Sequence, residues 1–478
     1  MSAPLVAIIG GGFTGALVAW HLARRTGPTP VDIVVIEPRR KLGAGLAYST
    51  ADPSHRINVP ASRMTMRTDI KDDFHRWIEA RGITLSEGSI TPDGAFYPQR
   101  GLVADYVGEA LAADLRDGRI RHLRTRATGL ARPDRFRITL EDGARLQADH
   151  VVIATSHPPP GLPEGFAALG GDPRLVADPS DAEAITDAAR NAQRVLVLGT
   201  GLTSADVIAS LDRQGFRGDI LALSRRGLRS RGHATGYPDS PADFASDPAR
   251  TALELLRRVR GAVARDAQAG LPWQATLDRV RLDGPAIWAA LPPPQRARLV
   301  RRLRVWWDVH RFRIAPQVED VLDRLIADDR LRIRAGRIRH AIADPAGLIV
   351  TWSPRRQPSR SEVFDRVILT TGPAHHQVLA RSPLLSSARQ AGLLDADQLG
   401  LGLLVADGCR AVGASGDPVP GLWVAGPLAR GHVGELMGIP EVTAHAEQVA
   451  ERLAADLRAL TRAGSDESAD GDTLRRVH

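Results

Sequence analysis

The sequence predicts an α/β protein made of two Rossmann-like dinucleotide-binding domains, the first interrupted by the second, with a helical insert. Three observations carry this prediction. An apolar run opens the chain and ends in Gly10-Gly-Gly-Phe-Thr-Gly15, and a helix-like stretch follows. A second apolar run ends in Gly199-Thr-Gly-Leu-Thr-Ser204, again before a helix-like stretch. Each turn is later followed by a segment of two-residue period and an apolar strand ending in small residues, Ala154-Thr155 in one case and Thr370-Thr371 in the other.

In the first unit Gly10, Gly12 and Gly15 have the G-x-G-x-x-G spacing, and the strand Val31-Asp-Ile-Val-Val-Ile-Glu37 ends on a carboxylate about 20 residues further on. Gly10 permits the turn, Gly12 lets backbone approach a pyrophosphate, and Gly15 lets helix and strand pack closely. The helix N-terminus offers free N–H groups to phosphate. Glu37 is placed to accept hydrogen bonds from a ribose diol.

The chain of 478 residues has room for two or three domains, and its 43% hydrophobic and 25% charged residues are those of a globular protein. The formal net charge of +8 invites a nucleic-acid reading. Only Lys41 and Lys71 are lysines, however, and the arginines run along the whole chain instead of forming one patch. No nucleic-acid partner is expected. Cys409 is the single cysteine, which excludes an internal disulfide and a C-x-x-C redox pair. The N-terminus reads directly as a strand without a basic leader, and no uncharged apolar run reaches the roughly 20 residues a membrane helix needs. The expectation is a cytoplasmic protein. The 14 histidines show no ligand-like spacing, and His375-His376 is too little for a metal site.

After Glu37 a long loop rich in Gly and Pro extends to about Pro60. Helices are predicted over 71–81, with Phe74, Trp77 and Ile78 on one face, and over 101–116, with Leu102, Tyr106, Ala110 and Ala113. A meander follows and feeds the strand 148–155, and Pro158-Pro-Pro160 marks a linker. In the second unit Ser204 replaces the third glycine, and the strand Asp219–Ser224 ends on Ser224-Arg225-Arg226 where the first unit has Glu37. Arginine there clamps a ribose 2′-phosphate by charge-assisted hydrogen bonds, which favours NADPH over NADH. A helical insert spans 229–320, with a stripe Leu253, Leu256, Val259, Val263 and a second helix from Pro294 to about Phe312 carrying Leu299, Leu303, Trp306 and His310 on one face. The final strand enters a turn at Gly426, followed by a helix from Glu441 to about Leu460 and a polar tail, 463–478, expected to be disordered.

Several phrases resemble the FAD-NAD(P)-binding family of bacterial flavoproteins: Gly43-Ala-Gly-Leu-Ala-Tyr-Ser49, His55-Arg-Ile-Asn-Val-Pro-Ala61, Ala425-Gly-Pro-Leu-Ala-Arg-Gly431 with Glu435 and Pro440-Glu441, Trp288, Trp307, and His310-Arg-Phe-Arg-Ile-Ala-Pro316. The resemblance covers about residues 4–450. It implies an FAD domain in two parts, 1–160 and 373–460, around an NAD(P) domain at 190–372. It also implies FAD contacts from Gly10, Gly12, Phe13, Thr14, Gly15, Glu37, Arg39, Gly45, Asn58, Ala154, Thr155 and Gly426. NADPH contacts would come from Gly199, Gly201, Ser204, Ser224, Arg225 and Arg226. Two departures stand out: Ala154-Thr-Ser156 where related flavoproteins carry Ala-Thr-Gly, and Ala425-Gly-Pro427 where they carry Gly-Asp, the usual ribityl contact.

The activity so implied is an FAD-dependent oxidoreductase whose flavin is reduced by NADPH. With no cysteine pair to take the electrons, transfer to O2 and hydroxylation of a small-molecule substrate is the favoured outcome. A reductase or dehydrogenase without oxygen insertion is the alternative, and a non-catalytic flavin sensor the rival of another class. Arg430, Glu435 and His310 are the catalytic candidates, with His55, Asn58, Arg311 and Arg313 as further pocket residues.

Overall fold

The parallel strands are continuous runs of Val, Ile and Leu because helices or meanders cover both faces of each sheet. The structure, a computed structural model, describes residues 3–27, 30–86, 88–158, 160–372 and 377–474, with side chains as far as residue 459. The His375-His376 pair lies outside the described residues.

The first unit runs β1 (Leu5–Ile9), α1 (Phe13–Arg25), β2 (Asp32–Ile36), α2 (Asp73–Ala80), α3 (Leu102–Arg116) and β3 (Ile120–Leu123). β1 and β2 pair in parallel, with Ile8 opposite Val35, and β2 pairs in parallel with β3. α2 buries Phe74 and Ile78 as its periodicity predicts. α3 buries Val103, Tyr106, Val107 and Leu111, one position around from the expected stripe, so Ala113 faces water. Strands β4 (Ala127–Ala131), β5 (Phe136–Leu140) and β6 (Arg145–Ala148) form a separate antiparallel meander. β7 (His150–Ile153) then returns beside β1, in parallel.

The second unit begins earlier than the sequence suggests. β8 (Leu175–Val176) is an edge strand of the second sheet, and α4 (Ala182–Asn191) buries Ile185, Ala188 and Ala189 in the same core as Ile208 and Leu211. β9 (Arg194–Leu198), α5 (Leu202–Arg213) and β10 (Asp219–Ser224) follow as the second glycine-turn unit.

The insert comprises α6 (Ala252–Gln268), α7 (Trp273–Leu282), α8 (Gly284–Ala290), α9 (Pro293–Arg302) and α10 (Arg304–Arg311), with its own small core around Phe244, Leu255, Ala262, Val280, Ile287 and Leu291. α6 buries Ala252, Leu255, Ala262 and Asp266, so the expected stripe is rotated and Leu253 lies exposed. The single helix expected from Pro294 to Phe312 is two helices that meet at Leu303, where φ is −112°. α11 (Pro316–Ala327) belongs to the second unit, where Val318, Leu322 and Leu325 join the core beneath the sheet. β11 (Leu331–Asp344), β12 (Gly347–Pro354) and β13 (Arg360–Phe364) form the second meander, and β14 (Arg366–Leu369) returns beside β9.

The chain then re-enters the first sheet. α12 (Pro383–Gln390) packs on β4; β15 (Val405–Ala406), β16 (Arg410–Val412) and β17 (Pro418–Val424) lead to β17 pairing in parallel with β7. α13 (Arg430–Val433) and α14 (Ile439–Leu474) complete it, α14 lying along α1. The first sheet therefore has the order β15-β16-β17-β7-β1-β2-β3 and the second β13-β12-β11-β10-β9-β14-β8. The backbone of α14 continues to Leu474, through most of the segment whose composition predicts disorder. Once a helix is nucleated on a packed face, each added residue gains a hydrogen bond without a new nucleation cost.

Candidate functional site

At the end of β1 the chain turns at Gly10 with φ +100°, a conformation that costs glycine nothing. A Cβ there would lie 2.7 Å from the Ala154 carbonyl oxygen, and one on Gly15 would overlap the Gly10 carbonyl. The first and third glycines are thus required by close packing of β1, α1 and β7. Gly12 and Gly45 face each other through their Cα atoms, leaving backbone alone at the mouth of the turn. α1 has no side-chain cap at Gly12, so its first N–H groups are available to an anion. Phe13 packs toward Tyr48, ring centroids 6.0 Å apart, and Thr14 fills the hollow under Gly426.

Glu37 is buried, and its carboxylate accepts Gly11 N–H at 3.0 Å and both Arg39 N–H and the Arg39 guanidinium at 3.1 Å. The acid locks the turn before any ribose arrives, and Oε2, which accepts one hydrogen bond, keeps a lone pair for another. The Thr155 hydroxyl, at the end of β7, is buried with no partner among the described residues. A glycine cradle, an uncapped helix end, a buried acid and an orphaned hydroxyl suit a dinucleotide.

The second cradle repeats the first with one difference. Gly199 has φ +126° and packs against Thr370, as Gly10 does against Ala154, whereas a Cβ on Gly201 would meet nothing within 4 Å. Ser204 is buried beside Ala205. Ser224 is used within the turn, where its hydroxyl accepts Thr200 Oγ1–H at 2.8 Å and Gly227 N–H at 3.0 Å. Arg225 and Arg226 are exposed, Arg226 lying 5.8 Å from the Trp306 ring centroid.

The helical insert docks on the segment after β17. Trp288 donates its indole N–H to Gly431 O at 3.0 Å and its ring lies over Gly434, where φ is +96° and a Cβ would strike the indole at 2.8 Å. Trp307 donates to Glu435 Oε2 at 3.1 Å, and Arg311 stands 3.4 Å from Glu435 Oε1. Arg311 and Arg281 both pair with Glu441. Between these docking points Arg304, Asp308, His157 and Arg430 share one region. Burial pushes the Asp308 carboxyl up despite Arg304 and Arg430. Burial, with Arg430 and Arg304 nearby, holds His157 down to about 3.

The predicted residues divide accordingly. Arg430, Glu435 and Arg311 come together. His310, one step along α10, instead meets Trp273 edge-on at 4.9 Å and approaches Trp306 O at 2.7 Å through Nδ1. His55 Nε2 contacts Ser210 on α5 at 3.0 Å, and that serine also bonds Asp52, so His55 serves the contact between the two units. Asn58 offers its backbone oxygen to His233 at 3.1 Å. Arg313 pairs with Asp278 at 2.8 Å.

Sequence reasoning missed His445. Its Nδ1 accepts Gly426 N–H at 3.1 Å, so the neutral ring carries its proton on Nε2, which faces Cys409 Sγ at 3.4 Å. Burial holds His445 down to about 4. No motif marks it; only its place in the second turn of α14, behind Gly426, gives it this task. His157 had a signal, directly after Ala154-Thr-Ser156.

Among the described residues no helix is long and apolar enough to cross a membrane and no cluster of His, Cys, Asp or Glu has metal-holding geometry. No curated protein sequence matches the chain. Among solved structures the chain is similar to L-lysine 6-monooxygenase from Pseudomonas syringae, at 20% identity and TM-score 0.64 over 96% of this chain and 99% of that one. It is similar to ornithine N-hydroxylase from Kutzneria sp. 744, at 15% identity and TM-score 0.62 over 96% and 100%. It is also similar to bacillithiol disulfide reductase from Staphylococcus aureus, at 13% identity and TM-score 0.56 over 95% and 99%. Residues 7–158 match the FAD-NAD(P)-binding family, in a chain that has the two-dinucleotide-domain fold of these solved structures.

Proposed function

We propose that the protein is an FAD-dependent oxidoreductase that uses NADPH to reduce its flavin and hydroxylates a small molecule with O2. The observation that carries this reading is the docking of the insert on the segment after β17, by Trp288, Trp307 and Arg311, which brings the insert against the turn that follows Gly426. Bound FAD supplies hydride acceptance and electron transfer to O2. The first cradle would hold it through Gly12, the N-terminus of α1, Glu37 and Thr155. The second would hold NADPH through Gly201, the N-terminus of α5, and Arg225 and Arg226. The insert excludes water, and Glu435, gripped by Trp307 and Arg311, stands where a proton can be held at its carboxylate during reaction.

The lone, buried Cys409 weighs against a disulfide substrate, since a dithiol relay needs two cysteines. Burial also pushes its thiol up to about 11, far from a reactive thiolate. The likeness to N-hydroxylating monooxygenases favours oxygen insertion. A reductase without oxygen insertion is the second reading. The test is NADPH consumption by the flavin-loaded protein with and without O2, with 18O2 label followed into product. Strict oxygen dependence and label in the product support hydroxylation; oxygen-independent turnover selects the reductase.

A further inference from the structure

Arg430 is 7% exposed, and among the described residues no hydrogen bond or ion pair holds its guanidinium. Five groups lie near enough for their charges to be felt: Arg304 and Asp308 of α10, His157 beyond β7, Glu435 and Asp397. The carboxylates are engaged elsewhere. Asp308 lies 3.4 Å from Arg304, Glu435 serves Trp307 and Arg311, and Asp397 accepts Leu401 N–H at 2.8 Å. Burial, and next Arg304, bring Arg430 down to about 10, so it stays charged at neutral pH. A buried cation without a partner is costly, and a second cation beside it raises the cost. Such an arrangement is stable when an anion arrives, and the planar guanidinium fork matches a carboxylate.

We propose that Arg430, assisted by Arg304, is the receptor for the carboxylate of the substrate, which is therefore a small carboxylic acid. This rests on the oxidoreductase reading above and names its substrate class. Arg304 belongs to the insert and to neither glycine turn, on the helix whose Trp306 lies beside Arg226. His157, kept neutral by burial, adds no third cation to this region.

The test is titration of the flavin-loaded full chain with acetate, and with acetamide as the neutral isostere. The readouts are the flavin spectrum and, independently of flavin, tryptophan fluorescence. Wild type should show a saturable change with acetate alone. Arg430→Gln should weaken acetate at least tenfold, Arg430→Lys less and Arg304→Gln severalfold, all with wild-type flavin content. No acetate response in the wild type, or equal acetate affinity in Arg430→Gln, overturns the proposal. Loss of flavin from Arg430→Gln with acetate binding intact overturns it too, by assigning the arginine to the coenzyme. Failure of the oxidoreductase reading is a different result, absence of NADPH-dependent flavin reduction, and leaves acetate binding measurable.

Discussion

Gly15 has its Cα so close to the Gly10 carbonyl oxygen that no side-chain carbon fits between them. In the second unit Ser204 stands at the Gly15 position, Gly199 packs against Thr370 as Gly10 does against Ala154, and Gly201 borders open space. Gly15→Ala should therefore destabilise the first unit by about 3 kcal/mol or more, as forced overpacking against backbone does. Gly201→Ala should leave unfolding free energy within about 0.5 kcal/mol of wild type. It should nonetheless raise the KM for NADPH about tenfold, a loss of roughly 1.4 kcal/mol, because a methyl group would stand where the pyrophosphate backbone contact belongs. Thermal melts and NADPH kinetics on both variants check this pairing of opposite effects.

The glycine turns were legible because a local contact marks them: Gly15 meets the Gly10 carbonyl within the strand, turn and helix of Leu5–Arg25, although Gly10 also packs against the distant Ala154. What was not legible depends on partners far along the chain. α6 turns Ala252 and Asp266 inward because Asp266 meets Thr276 of α7 in the insert core, and hydrophobicity alone points Leu253 there instead. His310 and Arg311 are adjacent on α10, yet only Arg311 faces Glu435, a choice fixed by where the insert docks. The resemblance-bearing residues Trp288 and Trp307 proved to be the docking contacts themselves.

Arg225 and Arg226 come directly after Ser224, which holds the position that Glu37 has in the first unit, and both are exposed. Replacing both by Ala should raise the KM for NADPH on the order of 10- to 100-fold, the equivalent of about 1.5–3 kcal/mol in charge-assisted hydrogen bonds. The KM for NADH should change little, since NADH has no 2′-phosphate. Stopped-flow flavin reduction with each coenzyme measures it. An equal loss for both would assign the arginines to something other than the phosphate.

Acid should loosen the molecule before its carboxylates titrate. Burial holds His445 and His233 down to about 4, against an ordinary histidine value of about 6.5. Between these values the unfolded chain binds protons that the folded chain refuses, so stability rises with pH across the window. It is complete above about pH 6.5 and falls as the pH drops toward 4. For His445 alone the full swing is roughly 3 kcal/mol. His445→Asn, which cannot titrate, should flatten the slope of unfolding free energy between pH 7 and pH 5. Denaturant melts at pH 7, 6 and 5 compare the slopes; an unchanged slope would mean His445 already titrates normally.

Trp307 ties the insert to Glu435, whose Oε1 is buried and whose Oε2 receives the indole N–H. Trp307→Phe keeps the aromatic bulk and removes the donor, leaving a largely desolvated carboxylate oxygen short of a partner. The expected cost is about 1–3 kcal/mol, felt first as opening of the insert, which has its own small core. Glu435→Gln in the Trp307→Phe background removes the charge and should recover part of that loss, because an amide oxygen is cheaper to leave unpaired than a carboxylate. Hydrogen exchange of α8–α10 amides in the two single variants and the double variant gives the coupling. A value near zero would mean the indole and the carboxylate act independently, and that the insert is held by Trp288 and the Arg281–Glu441–Arg311 pairs alone.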